Sequence, residues 1–414
     1  MASEPEAPRP PAGPRAALHL IRSRQFGPYF VGNAASASGT WFQNLAAQLL
    51  VYRLTHSPFL LGVLNFCNFI PVLALAPWAG SAADRFDRRR LLIATQLLAT
   101  ALSATLAVLA WSGLAEAWVV IVFALGLGIS SAFSAPASTA FISQLVERRD
   151  LPSAVALNSM TYNIARALGP ALAAVSVKQL GIPASFAINA ASYLLFVAGL
   201  AIVDPRPTTR ARRGEARLRE SLALVRRTPR LLVFLLIVTA VGFASDPINT
   251  LAPAFAREFG YHDTVAGLII GAFGFGAVSA AFLLAGRVAG TRRRMVTTLT
   301  LLGLGVIAFS VSPWLALGFV FLVVAGFGYL ASNTHATTRL QLEVEESQRG
   351  RIMALWSVAF LGLRPVASLV DGAIAGAFGV RVAGVCLALP ALAMAAVVAF
   401  RGARRPQIAP FTSS

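Results

Sequence analysis

Charge is what this chain has least of: 13% of its 414 residues are Asp, Glu, Lys or Arg, against roughly 25% in a soluble globular domain. That scarcity excludes a water-soluble globule. Acidic residues are rarer still, 17 against 35 Lys and Arg, which leaves a net charge of +18. So basic a balance would suit a nucleic-acid binder, yet no basic stretch is interleaved with base-stacking aromatics, and no nucleic-acid partner is expected. The two cysteines, Cys67 and Cys386, sit inside apolar runs and outside any metal-spaced cluster, which argues against a disulfide and a bound metal. There is no Gly-rich phosphate loop with a Walker lysine and no His/Glu metal spacing. The chain therefore reads as neither an enzyme nor an ATP-driven machine, with no cofactor. Any work it does draws on a gradient.

What it has instead is 57% hydrophobic residues, gathered into runs of about twenty that satisfy their backbone only as helices in lipid. Spans are expected at 26–52, 59–83, 91–112, 117–141, 152–177 and 183–203, then at 231–256, 264–288, 295–312, 314–341, 351–377 and 381–400. The fold class is an all-α integral membrane protein of twelve helices: a tail (1–25), a six-helix bundle (26–203), an Arg-rich linker (204–230), a second bundle (231–400) and a tail (401–414). The first 25 residues lack an apolar h-region before a small-residue cleavage site, so no secretory signal is expected. The linker reads as a solvated segment near anionic lipid headgroups, with partner binding as the alternative. Of the 35 Lys and Arg, 29 lie in the tails and the breaks after even-numbered spans, whereas the opposite breaks carry only Arg53, Lys178, Arg257 and Arg381. Such sorting puts both termini in the cytoplasm of a multi-pass protein of the cell membrane.

The two halves echo each other. Gln144-Leu145-Val146-Glu147 recurs as Gln341-Leu342-Glu343-Val344 at an offset of 197, and Arg166 as Arg364 at 198. Gly62 and Gly80 have counterparts in Gly267 and Gly286 at offsets of 205 and 206. Spans 3, 6, 9 and 12 are almost wholly apolar and are expected to face lipid. The others hold Asn33, Gln43, Asn44, Gln48, Asn65, Asn68, Asn158, Asn163, Asp246, Asn249, Asn333, His335 and Asp371, groups that are costly in a bilayer unless they meet water, protein or substrate.

The most charged break, Gly80-Ser81-Ala82-Ala83-Asp84-Arg85-Phe86-Asp87-Arg88-Arg89-Arg90, places a Gly four residues before Asp-Arg and then a cluster of Arg. It resembles the loop between the second and third helices of the major facilitator superfamily of secondary transporters. Three further stretches, Ser57-Pro58-Phe59-Leu60-Leu61-Gly62, Arg166-Ala167-Leu168-Gly169-Pro170 and Gln348-Arg349-Gly350-Arg351, are similar to its drug and siderophore exporter branch, which contains macrolide efflux pumps and the enterobactin exporter. The resemblance covers residues 26–400. It implies two pseudo-symmetric bundles that rock about a central cleft and export a hydrophobic or amphipathic small molecule in exchange for protons, one chain sufficing as a monomer in its lipid. A metabolite importer and a non-transporting scaffold or sensor are the alternatives. The resemblance also implies a latch in which Gly80, Asp84, Arg85, Arg88 and Arg89 meet Gly350 and Arg351, holding the cytoplasmic side closed while the outside is open. The alternative is a charge cluster set by topology alone. Asp87 stands where the family often has glycine, and the second-half counterpart of the loop has lost its acid, so only one latch is expected to work.

Asn158, Tyr162 and Arg166 follow at intervals of four and share a helix face. With Asn65, Asn68, Asn249, Asn333 and Arg364 they are the candidates for a substrate cavity. An intramembrane Arg is costly enough that Arg166 and Arg364 are expected to face a cavity or a polar partner. For proton coupling the candidates are Asp246, Asp371 and His335. Asp246 stands beside Pro247 in the outer half of its span, and neutralisation by a neighbouring Arg is the competing reading. Asp371, two turns beyond Arg364, is placed for an interfacial role, and His335, alone in its helix, is read as a satisfied polar residue sooner than as a relay.

Overall fold

In a computed structural model the chain is all helical among the residues described, which are 14–147, 149–206, 228–284 and 291–403. Helix α1 (Pro14–Arg22) precedes α2 (Gly27–Thr55), α3 (Pro58–Ala74), α4 (Ala76–Arg85), α5 (Arg88–Trp111), α6 (Ala117–Leu145), α7 (Leu151–Leu180) and α8 (Ile182–Ile202). After the linker come α9 (Pro229–Thr250), α10 (Ala252–Glu258), a 3-10 turn (Asp263–Val265), α11 (Ala266–Leu283), α12 (Arg292–Val311) and α13 (Leu315–Leu342). Helix α14 (Glu346–Ser357) runs through a π turn (Val358–Gly362) into α15 (Arg364–Phe378), and α16 (Val380–Ala403) ends the described chain. Residues 207–227 of the linker and 285–290, which include Gly286, lie outside the described residues.

Among the described residues, nine helices are long and apolar enough to cross a membrane, or ten if α3 and α4, bent by 54°, make one broken span. The two expected spans outside that count are α2 and α7, which at 29 and 30 residues have the length but not the apolarity. They carry Asn33, Gln43, Asn44 and Gln48, and Asn158, and a helix that polar is tolerated only against protein or a wet cleft. The bends have a local cause. Pro71 and Pro77 flank the break at Leu75, Pro247 and Pro253 flank the break at Leu251, and each proline withdraws a helix N–H.

Successive helices alternate in direction. One face therefore gathers the ends near Arg22, Arg88, Arg149, Arg206, Arg230 and Arg292, here the arginine-rich face; the other is the arginine-poor face. The two halves brace the rich face alike. Asp87 caps α5 by accepting from the Arg90 N–H, and Thr291 caps α12 by accepting from the Arg294 N–H. Arg89 donates to the Leu200 and Ala201 carbonyls at the end of α8 at 2.6 and 2.5 Å, and Arg292 to Val398 and Ala399 at the end of α16. The first two are carbonyls a helix end leaves unpaired, at its negative pole, and the second two lie one turn before such an end.

The bundles meet along α3 against α15 and α7 against α11. A Cβ on Gly62 would strike the Ser368 carbonyl and Gly372, and one on Gly267 would strike the Pro170 carbonyl and Ala174. Ser368 and Gly372 stand 198 residues after Pro170 and Ala174, so the two seams are the same contact made twice. Both lie toward the arginine-poor face, which is closed, whereas α4 at the rich face packs on α3, α5 and α6 of its own bundle.

Replacing Gly267 by Val is expected to pry the seam and open the arginine-poor face. Spin labels at His56→Cys and Tyr261→Cys, with Cys67 and Cys386 replaced by Ala, should then gain a longer-distance population by double electron–electron resonance. An unchanged distribution would mean that this contact does not hold the face shut.

Candidate functional site

The break after Pro247 lets α9 turn just where its acid lies. Asp246 is 1% exposed. Its Oδ2 accepts from Thr250 Oγ1 at 2.9 Å and Ser368 Oγ at 2.8 Å, and its Oδ1 lies 3.4 Å from Arg364 Nε. Arg364 also lays its guanidinium over the Phe69 ring, 4.8 Å from the centroid, and so reaches from the second bundle to α3 of the first. The competing expectation for Asp246 thus has its arginine. Asp371 lies beside Asp246, fully buried, and apart from Asp246 and the Gly372 N–H no hydrogen-bonding partner faces its oxygens among the described residues. The next residue, Gly372, is the one that meets Gly62 at the seam. The site is therefore one guanidinium and two carboxyls enclosed directly beneath the contact that closes the arginine-poor face.

Two polar contacts cross between bundles nearby. Arg53 at the end of α2 grips Asp263 with both arms of its guanidinium, Nε to Oδ2 at 2.6 Å and Nη2 to Oδ1 at 3.0 Å, and His262 Nδ1 stands 2.8 Å from Oδ1. Asp263 is fully buried by this arrangement. Gln48 Nε2 donates to the Asn249 carbonyl at 2.9 Å. That carbonyl is free because the residue four further on, the usual donor, is Pro253.

The expected cavity residues do not form one cluster. Asn65 and Asn68 line a pocket inside the first bundle together with Gln43, Asn44 and Gln48. Asn158 accepts from Asn33 Nδ2 at 2.6 Å, toward the rich face, and Tyr162, one turn on, is 54% exposed. Asn249 Nδ2 bonds back to the Ser245 carbonyl at 2.7 Å. In α13, Asn333 Oδ1 and both ring nitrogens of buried His335 find no partner among the described residues, so His335 is not the satisfied polar residue that was one of its two readings. The side chains of Arg166 and Arg351, and the surroundings of Gly350, lie outside the described residues.

Among the latch residues, Gly80, Asp84, Arg88 and Arg89 make no described side-chain contact with the second bundle. Asp84 is exposed with no described partner, and a Cβ on Gly80 would meet open space. Arg88 reaches the Ala83 and Ala140 carbonyls at 3.4 and 3.3 Å, and Arg89 holds α8, so both brace their own bundle. Asp87, which replaces the usual glycine, is a helix cap. Asp371 also departs from its expected interfacial position, because the close crossing of α3 and α15 encloses it. Residues missed from the sequence are Asp263, Ser368, Thr250 and Asn189; the last donates to Gln43 Oε1 from the third helix of its triplet, where only lipid-facing side chains were expected. An Asn within an apolar run was the available signal.

A family model described as transmembrane secretion effector matches residues 16–409. The chain is 34% identical over 160 residues to the staphyloferrin A transporter of Staphylococcus aureus, covering 38% of this chain and 40% of that protein. It is 24% identical over 235 residues to macrolide efflux protein A of Streptococcus pyogenes, covering 56% and 58%. The chain thus spans about half the length of these curated relatives. Its fold is similar to that of a bacterial homologue of the human lysosomal transporter Spinster, with a TM-score of 0.72 at 16% identity over 95% of this chain and 98% of that one.

Asp263→Asn should weaken the grip of Arg53 and raise the open population at the His56 and Tyr261 label positions about tenfold, ~1.4 kcal/mol, between the worth of an exposed and of a buried pair. The swap Arg53→Asp with Asp263→Arg should bring the population back. Identical distance distributions for the single variant and the parent would show that the pair is no lock.

Proposed function

The chain belongs to the transmembrane secretion effector family of the major facilitator superfamily, and from that membership we propose that it exports a hydrophobic or amphipathic small molecule across the cell membrane in exchange for protons. It is a multi-pass membrane transporter, not an enzyme. The observation that carries the proposal is the carboxyl pair Asp246 and Asp371 under the seam. Asp246 already receives Thr250, Ser368 and Arg364, whereas Asp371 faces only Asp246 and the Gly372 N–H. An ionised carboxylate only accepts, and enclosing a second one against Asp246, with the single Arg364 guanidinium already turned to that residue, is costly. A proton shared between the two lets Asp371 donate to Asp246 and removes that cost.

Closure at the arginine-poor face then requires a proton, and opening, which admits water to Asp371, does not. With arginine sorting supporting a cytoplasmic rich face and cytoplasmic termini, the closed side is the outer one. The cycle follows. A proton taken up from outside permits closure there, leaves through the cleft on the cytoplasmic side, and is replaced by substrate, whose binding offsets the cost of reopening the outer seam. Asp84 and Arg85, exposed in this state, would meet the N-terminal end of α14 near Gly350 and Arg351 when the cytoplasmic side closes. Asn158, Tyr162, Arg166 and Asn333 would contact substrate in the open cleft, and one chain is enough for the pathway. The siderophore and macrolide named for the two relatives support a bulky organic cargo.

In everted vesicles with an imposed proton gradient, the parent should accumulate at least one compound from a panel of macrolides and siderophores. Asp246→Asn should cut uphill accumulation at least about tenfold, one proton-coupled step, and retain downhill exchange. Asp371→Asn, which mimics the protonated acid, should hold the outer labels at short distance. Undiminished uphill transport by both variants would remove the pair from coupling. Movement with the proton rather than against it would make the protein an importer, and no gradient-dependent movement would favour a scaffold.

A further inference from the structure

We infer that the pocket inside the first bundle is a recognition site for an uncharged hydrogen-bonding group of the cargo, an amide or a hydroxyl, rather than for a carboxylate or an ammonium. Five carboxamides, Gln43, Asn44, Gln48, Asn65 and Asn68, share the pocket with aliphatic side chains such as Leu64 and Leu106, and no ionisable side chain lines it. Two of the five leave a buried polar atom unpaired. Gln43 Oε1 accepts from Ser103 Oγ and Asn189 Nδ2, both at 2.6 Å, which fixes the amide orientation and leaves its Nε2 without a partner among the described residues. Gln48 spends its Nε2 on the Asn249 carbonyl, which fixes its orientation too and leaves its Oε1 without one. Gln43 is 2% exposed and Gln48 5%. A buried amide left unpaired is costly, and these two side chains on the wall of the pocket supply one unspent donor and one unspent acceptor.

That complement selects a class. A carboxylate entering the pocket would find no cation, and an ammonium no carboxylate, so either would lose its hydration without a counter-charge. A neutral molecule that accepts from Gln43 and donates to Gln48 loses nothing of the kind. The charged centre at Asp246 and Arg364 belongs to the second bundle, so the two bundles divide the labour, neutral recognition in one and proton chemistry in the other. The inference rests on the export reading only in calling the ligand a cargo; the recognition itself is measured without a gradient.

The full-length protein in lipid nanodiscs is titrated with three fluorescent probes of matched size: dansyl-β-alaninamide, dansyl-β-alanine and dansyl-ethylenediamine. The amide should bind about tenfold more tightly than the acid or the amine, the increment of one good hydrogen bond. Asn68→Leu should erase the preference. Gln43→Glu keeps both accepting contacts, places a charge where the free N–H was, and should turn the preference toward the amine. Equal binding of all three probes, or an amide preference that survives both substitutions, would overturn the assignment and leave amides that merely bind water. Vesicles that show no gradient-driven efflux would overturn the export reading while this binding series stood, so the two failures are distinguishable.

Discussion

The close crossing of helices at two glycines is the constraint on which the rest of the structure depends. In a bilayer, helices gain little by burying apolar surface against one another, and association rests on short-range packing and interhelical hydrogen bonds. Gly62 and Gly267 allow backbones to approach to the point where a methyl would strike a carbonyl. Because the two contacts match residue for residue, neither seam can part far without the other if each bundle moves as a body. What lies beneath shares that fate: Asp371, the Arg53–Asp263 pair and the Gln48–Asn249 bond are enclosed or joined only while the seams are shut.

Charge is distributed by the same logic. The arginines that defy the sorting on the arginine-poor face are largely immobilised: Arg53 grips Asp263, and Arg381 pairs with Glu258 at 2.9 Å while donating to the Ser310 and Ser312 carbonyls. On the other face, Arg89 and Arg292 are helix-end braces in equivalent places. Arginine in this chain therefore serves two purposes, setting topology by number and stiffening each bundle by bonding to helix carbonyls. Only the first can be read by counting. The second depends on which helix end lies opposite.

That distinction marks how far the sequence could be read. Apolar runs located the helices to within a few residues because hydropathy is a property of a segment by itself, and the internal repeat named Arg166 and Arg364 as equivalents before any geometry. Prolines beside Asp246 announced a break. Asp371 was misjudged because distance along its own helix put it near a membrane boundary, whereas its burial comes from α3 crossing over it. Asn189 was missed because its helix is apolar overall, and periodicity does not tell which neighbour a lone polar residue meets. Asp263 was missed because its partner, Arg53, lies 210 residues earlier in the chain.

The last link is short. Asp246 and Asn249 belong to the same turn of α9, the last before the break at Leu251. Pro253 deprives the Asn249 carbonyl of its helical donor, and Gln48 of the other bundle supplies one. A side chain that lines the amide pocket is thereby bonded to the backbone three residues from the carboxyl pair. Anything in the pocket that draws Gln48 aside leaves that carbonyl unpaired at a point where the helix is already interrupted, and water reaches it only if the bundles separate. Under the proposed reading, occupancy of the pocket and parting of the seam would be linked through this one hydrogen bond rather than through a long path of packed side chains.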